Sequence, residues 1–167
     1  MPGRRKTRSQ RKALVAGFTS ALLGAAVSAP ARAESPDEAA VEKEQRCLAL
    51  AIYFEARSEG PEGMRAVASV VLNRVESDEF PSTPCEVVHE GGETPPCQFS
   101  WWCDGKSDVP RDEEQWQLAL SIARSMLEDR GDDPTRGALF FHSAQIPVPW
   151  RVERTRTEQV LGHIYYR

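Results

Sequence analysis

Residues 34–167 read as a mainly helical α+β domain. Three observations carry that reading: apolar residues recur at helical intervals in three long segments, Gly and Pro punctuate the gaps between them, and the tail changes to short aromatic-rich stretches of strand character.

The first 33 residues stand apart. A basic, acid-free start precedes an apolar run from Ala13 to Val27 and the sequence Ala31-Arg32-Ala33, the three parts of a secretory signal peptide with cleavage expected after Ala33. The run falls short of the roughly 20 residues needed to span a bilayer, so no stable membrane insertion is expected after cleavage. Residues 34–46 are acidic and nearly free of large apolar groups, an expected solvated lead-in with at most a frayed helical turn. Residues 47–167 form the expected main folded domain.

A first core helix is expected over about Gln45–Ser58, where Leu48, Ala51 and Ile52 share one face. Gly60-Pro61 stops it, because the residue before proline is pushed out of the helical region. Pro61 then opens a second helix, in which Met64, Val67, Val70, Val71 and Val75 recur at helical spacing. Its β-branched content makes it a poor isolated helix, hence a buried one. Ser82 or Thr83 caps a short third helix ending near His89. Residues 90–110 are a Gly- and Pro-rich loop of the length that is usually functional. The next helix has acids in its first turn, Trp116, Ala119, Leu120, Ala123 and Leu127 on one face, and Gly131 past its end. In the tail, "GALFFHSA" and "GHIYYR" read as strands, and "IPVPW" between them cannot be a central one.

Charge excludes whole classes of partner. Removing residues 1–33 takes away seven basic residues and no acid, leaving 14 basic and 25 acidic residues and a formal charge of −11. Such a surface repels nucleic acid and anionic lipid. There is no Gly-rich phosphate loop and no G-x-S-x-G elbow. Cys47, Cys85, Cys97 and Cys103 all follow the leader, and an even count in an exported chain favours two disulfides. Three pairings are possible, of which Cys97–Cys103 with Cys47–Cys85 is preferred. Their spacing does not suit structural zinc, and His89, His142 and His163 supply no ligand pair, so no metal or cofactor is expected.

Glu55 is the sharpest candidate for chemistry. It projects between Leu48, Ala51 and Ile52, where desolvation raises a carboxyl pKa and leaves an acid able to donate a proton near neutrality. Periodicity alone slightly favours a plainer role at the edge of the stripe, ion-paired to Arg57 or Arg74. Glu59 lies one turn on, but Gly60-Pro61 unwinds that turn, which makes Glu59 a supporting residue and Glu55 the principal acid. Phe99, Trp101 and Trp102 offer flat faces to a ligand, and Gln98, Ser100 and Asp104 offer hydrogen bonds, while for at least one of the two tryptophans a plug in the core, in a loop held by a short disulfide, is the plainer reading. His142 is a candidate base with a structural histidine as the plainer reading. Tyr165 and Tyr166 point to opposite sides of an extended segment, so only one can line a cleft; Tyr166 is assigned to it.

Five stretches in order, "CLALAIYFEARSEGPEGMRAVASVVLNRV", "FPSTPCEVV", "CQFSWWCDG", "DPTRGALFFHS" and "GHIYYR", resemble the cell wall hydrolases related to spore cortex-lytic enzymes. The resemblance covers about Cys47 to Arg167. It implies a lysozyme-like fold of the goose-type transglycosylase kind and action on peptidoglycan glycan strands, with the glutamate of "EAR", here Glu55, as catalytic acid. It thereby reverses the preference drawn from periodicity. Two departures bear on turn geometry: Ser58 stands where glycine is usual in "EARGE", and Arg136 interrupts "DPTGGA". The implied reaction is cleavage between N-acetylmuramic acid and N-acetylglucosamine, as a lytic transglycosylase or a hydrolase, in the periplasm; a non-catalytic wall-binding protein of the same fold is the competing class.

Overall fold

The computed structural model describes residues 35–148, 150 and 152–167. The expected signal peptide lies outside the described residues. Among these, four α-helices and one three-stranded sheet follow in the order α1 (Pro36–Ala56), α2 (Gly60–Val75), α3 (Pro84–Val88), α4 (Glu113–Glu128), β1 (Phe140–Ser143), β2 (Arg156–Val160) and β3 (His163–Tyr166). A 3-10 turn, Ser100–Cys103, interrupts the long loop. The domain is mainly helical α+β.

Helix α1 starts nine residues earlier than the apolar pattern suggests. Ser35 caps it, accepting from the Glu38 N–H while the Glu38 carboxylate accepts from the Ser35 N–H, and Pro36 follows at the first turn. A capping box lets the acidic segment 36–43 coil while exposed, so the lead-in extends the helix. Tertiary burial begins near Cys47, which is where an apolar pattern becomes visible.

Helix α2 is the centre of the fold. Met64, Val67, Ala68 and Val71 pack toward α1, α3 and α4, whereas Ala66 and Val70 join Ala138, Val160 and Tyr165 beneath the sheet. Being covered on both sides, it tolerates β-branched residues that would weaken an isolated helix. Each fully buried Val, Leu or Ile contributes roughly 1.5–3 kcal/mol. Helix α3 is capped by Thr83, whose hydroxyl accepts from the Glu86 N–H. Helix α4 is capped by Asp112. The structure joins Cys47 to Cys85, which ties α1 to α3, and Cys97 to Cys103 across the 3-10 turn. That is the preferred pairing.

The sheet order is β1-β3-β2, antiparallel throughout, with β3 central. Strand β2 has no sequence expectation behind it: "RTEQV" is polar, and only its last residue, Val160, is buried. Register places Phe141 opposite Tyr165 and Phe140 opposite Tyr166. Phe141, His163 and Tyr165 therefore share the face toward α2, and Phe140, His142 and Tyr166 share the other. The loop before β1 is tied by Asp133, which accepts from the N–H groups of Thr135 and Gly137, and by Asn73, which donates to Ala138. Arg136 sits within this loop at φ 56, the conformation glycine favours. Ser58 needs no such conformation; the positive φ of that turn falls on Gly60.

Candidate active site

Glu55 lies in the last turn of α1, one turn beyond the fully buried Ala51 and Ile52 and next to the fully buried Ala56. The residue is only partly exposed, and among the described residues no hydrogen bond or ion pair reaches its carboxylate. Burial raises its pKa from 4.5 to about 7, with the charge of Arg74 pulling the other way. The carboxyl is thus half protonated near neutrality, as a general acid requires.

Arg74 reaches the site from α2. It is 4% exposed, its Nε donates to the Leu139 carbonyl at 2.8 Å, and its Nη1 has no partner among the described residues. The guanidinium lies over the rings of Phe80, Phe99 and Phe140, which fix its plane. Burial lowers its pKa to about 10, so it remains a cation at neutral pH. Arg57, the other partner weighed for Glu55, is exposed and rests over the Tyr53 ring.

Glu59 is seated in a cradle of two glycines. A Cβ on Gly63 would lie 2.7 Å from Glu59 Oε2, and one on Gly162 would collide with Oε1. Glu59 Oε1 is 3.0 Å from His163 Nδ1, and the two side chains are only 15% and 10% exposed. That separation lies in ion-pair range, but His163 Nδ1 makes no hydrogen bond among the described residues, and Glu59 Oε2 has no partner there either. The hydroxyl of Tyr165, a fully buried residue, is likewise without a partner. Burial and the nearby charges of Glu59 and Glu55 push its pKa well above the usual tyrosine range.

The structure divides the sequence candidates. Tyr165 lies on the α2 face of the sheet, near enough for the charges of Glu59 and Glu55 to raise its pKa, whereas Tyr166 and His142 lie on the other face. His142 Nε2 is 3.0 Å from the Tyr166 hydroxyl and Nδ1 is 2.8 Å from the Ser143 carbonyl. An N–H at Nδ1 donating to that carbonyl leaves Nε2 to accept from Tyr166, so both polar ends of His142 are occupied. Trp150 packs edge-on against both rings. The tyrosine beside the acids is therefore Tyr165. Strand alternation supplied the choice, but its phase depends on which face of β3 meets α2.

In the aromatic loop Trp101 is the tryptophan that plugs the core, stacked on Phe54 with centroids 4.8 Å apart, and Phe99, expected to present a flat face to a ligand, is buried with it. The Cys97–Cys103 bridge and the 3-10 turn fold the loop back so that these rings extend the helical core. Trp102 is half-buried, stacked on His89. Gln98, Ser100 and Asp104 are exposed, and Asp104 is tied to Lys106 through both its N–H and its Nζ. His163 was absent from the expected site, and Arg74 entered it only as one of two possible ion-pair partners of Glu55.

Comparison with known proteins agrees with this architecture. A family described as cell wall hydrolase matches residues 58–166, a stretch that begins just after Glu55. Spore cortex-lytic enzymes of Bacillus subtilis (strain 168) and Oceanobacillus iheyensis are 31% and 33% identical over 121 residues, 72% and 71% of this chain. The chain spans only 36% and 39% of those relatives' lengths. Among solved structures, the catalytic domain of the Bacillus cereus SleB protein superposes with a TM-score of 0.57 at 29% identity, covering 75% of this chain and 91% of that one. The catalytic domain of the germination-specific lytic transglycosylase SleB from Bacillus anthracis gives 0.57 at 30% identity, over 74% and 93%. By the extent of the family match and the shared fold, the chain belongs to the cell wall hydrolase family.

Proposed function

We propose that this protein cleaves peptidoglycan glycan strands between N-acetylmuramic acid and N-acetylglucosamine as a lytic transglycosylase, with Glu55 as its acid. The observation that carries the reading is Glu55 itself: a partly desolvated carboxyl, free of hydrogen bonds among the described residues, with a pKa near 7. Membership of the cell wall hydrolase family and the shared fold with a lytic transglycosylase domain support the substrate class.

Protonated Glu55 gives its proton to the glycosidic oxygen as the bond from C1 to that oxygen breaks, releasing the leaving sugar as an alcohol. The ring left behind carries oxocarbenium character. Ionised Glu55 then takes the proton of that sugar's own C6 hydroxyl while O6 bonds to C1, closing a 1,6-anhydro ring and regenerating the acid. No water is consumed. Glu59 and Tyr165 are positioning residues that keep a polar, water-poor wall beside the acid. The two-carboxylate scheme of many glycosidases has exceptions, and the cradled Glu59 has little room to reach the opposite face of a sugar.

Peptidoglycan lies beyond the cytoplasmic membrane, and the leader signature in residues 1–33 directs the chain there, to the periplasm. Among the described residues no helix is long and apolar enough to cross a membrane. The test is incubation of purified sacculi with the wild type and Glu55→Gln. Muropeptides with anhydro ends from the wild type and none from the variant are expected. Undiminished release by the variant would remove Glu55 from its role, and reducing ends in place of anhydro ends would make water the nucleophile.

A further inference from the structure

On the far side of the last turn of α1 lies a concave pocket of about 460 Å³ that the glycan-cleavage chemistry does not use. It is lined by Tyr53 and Phe54 of α1 and Arg57 just after it, Lys106, Ser107 and Val109 of the loop, and Arg111 and Asp112 before α4. Three cations and one carboxylate among eight lining residues reverse the sign of a chain whose segment 34–167 carries −11. Lys106 is partly neutralised by Asp104 at 3.0 Å, but that pair is exposed and weak. Arg57 and Arg111 make no ion pair among the described residues, and both are exposed.

Tyr53 makes this more than a basic patch. It is 4% exposed, and its hydroxyl accepts from two backbone N–H groups, those of Arg111 and Asp112, each at 3.0 Å. Both lone pairs are thereby used, and the hydroxyl proton has no acceptor among the described residues. A buried O–H donor with its acceptor capacity filled calls for an acceptor-only partner, and a carboxylate is one. Two unpaired guanidiniums at the rim suit the same planar anion, since arginine recognises carboxylates in a fork geometry. Phe54, Val109 and the Tyr53 ring add apolar walls for small side chains.

We infer that this pocket holds a carboxylate of the peptide stem borne by peptidoglycan, so that the protein grips its substrate by the peptide as well as by the glycan. The inference rests on the glycan-cleavage reading for the identity of the polymer. Tyr53 and Arg57 stand about 160–200° around α1 from Glu55. The pocket and the acid are thus on opposite sides of a helix end about 10–12 Å across. A stem branching from the muramic acid can bridge that span while the scissile bond lies at Glu55. The pocket thereby selects glycan that still carries peptides over stripped glycan.

The experiment compares wild type with the double variant Arg57→Gln/Arg111→Gln on two substrates: intact sacculi, and the same sacculi stripped of stems by an amidase. Thermal unfolding checks that the variant folds. The released stem tetrapeptide, the same peptide with its carboxylates amidated, and inorganic phosphate are titrated calorimetrically into both proteins. The expected result is at least a tenfold slower release from dilute intact sacculi by the variant, an unchanged rate on stripped glycan, and tetrapeptide binding by the wild type alone. Equal rates on intact sacculi, or equal losses on both substrates, overturn the proposal. Phosphate or the amidated peptide binding as tightly as the tetrapeptide also overturns it. Should the wild type cleave neither substrate, the glycan-cleavage reading fails, and the titration still decides the pocket: tetrapeptide binding abolished in the variant upholds it, and none in the wild type ends it.

Discussion

Replacing Glu55 by Gln exposes the energetic consequence of burying an acid. In the folded chain its pKa stands at about 7 against an ordinary 4.5, because burial disfavours the charge more than Arg74 favours it. At 1.36 kcal/mol per pH unit, that difference corresponds to about 3 kcal/mol, an order-of-magnitude figure. The sign follows from where the proton resides. Below 4.5 the carboxyl is protonated in both the folded and the unfolded chain, and the two states are affected alike. Between 4.5 and 7 the unfolded chain loses the proton while the folded one keeps it, so stability falls as pH rises. Above 7 the folded carboxylate is charged too, and the loss is complete.

Gln is neutral at every pH and escapes this loss. Wild type and Glu55→Gln should therefore be equally stable near about pH 4, and the variant should lead by about 2–3 kcal/mol near about pH 8.5. Urea unfolding followed by tryptophan fluorescence across this range measures both, with an unchanged m-value showing that the same surface is exposed. The gain in stability should accompany complete loss of muropeptide release, and the wild-type rate should fall about tenfold per pH unit above 7. Parallel stability curves for the two proteins, or a Gln variant weaker than wild type at alkaline pH, would refute the claim that Glu55 is held desolvated.

Arg74→Met removes the cation that draws the pKa of Glu55 down, so the alkaline limb of the pH–rate profile should move to higher pH, whereas Arg74→Lys should leave it in place; a limb unmoved in both would show that the charge is not felt. Gly162→Ala forces a Cβ onto Glu59 and should cost about 1–3 kcal/mol by denaturation. In a Glu59→Ala background the same change should be nearly neutral, giving a coupling of at least about 1 kcal/mol in a double-mutant cycle. Arg136→Gly relieves a positive φ that costs a side chain about 1–2 kcal/mol, and gives up only an exposed ion pair to Glu158. Allowing for the greater freedom of Gly in the unfolded chain, thermal unfolding should shift up by roughly 2–4 °C.

The helical part was legible because its signals are local. Met64, Val67 and Val71 record a buried face at fixed spacing, Thr83 and the acids before Trp116 mark helix starts, and Pro61 marks a boundary. Two polar signals were missed. The Ser35–Glu38 capping box sits in an acidic segment that reads as solvated, and β2 owes its extended form to pairing with β3 rather than to its own residues. Phe99 and Trp101 show the same limit from the other side: an aromatic loop is equally consistent with a ligand surface and with a core plug, and only the fold-back at the Cys97–Cys103 bridge sends the rings inward.

By itself the sequence determined the class of fold, the course of the helix that holds Glu55, and, through ordered motifs, the resemblance to cell wall hydrolases from which Glu55 is proposed as the acid. Tertiary structure alone decided which groups surround that acid. Of Arg57 and Arg74, both open from the sequence, packing chose Arg74; Tyr165 arrives from a strand more than a hundred positions away from Glu55, and Glu59 finds its seat only because Gly63 and Gly162 both leave room. Periodicity fixes the direction of a side chain relative to its own element. The electrostatic environment of a carboxyl depends on what other elements bring within a few ångströms, and that is a property of packing.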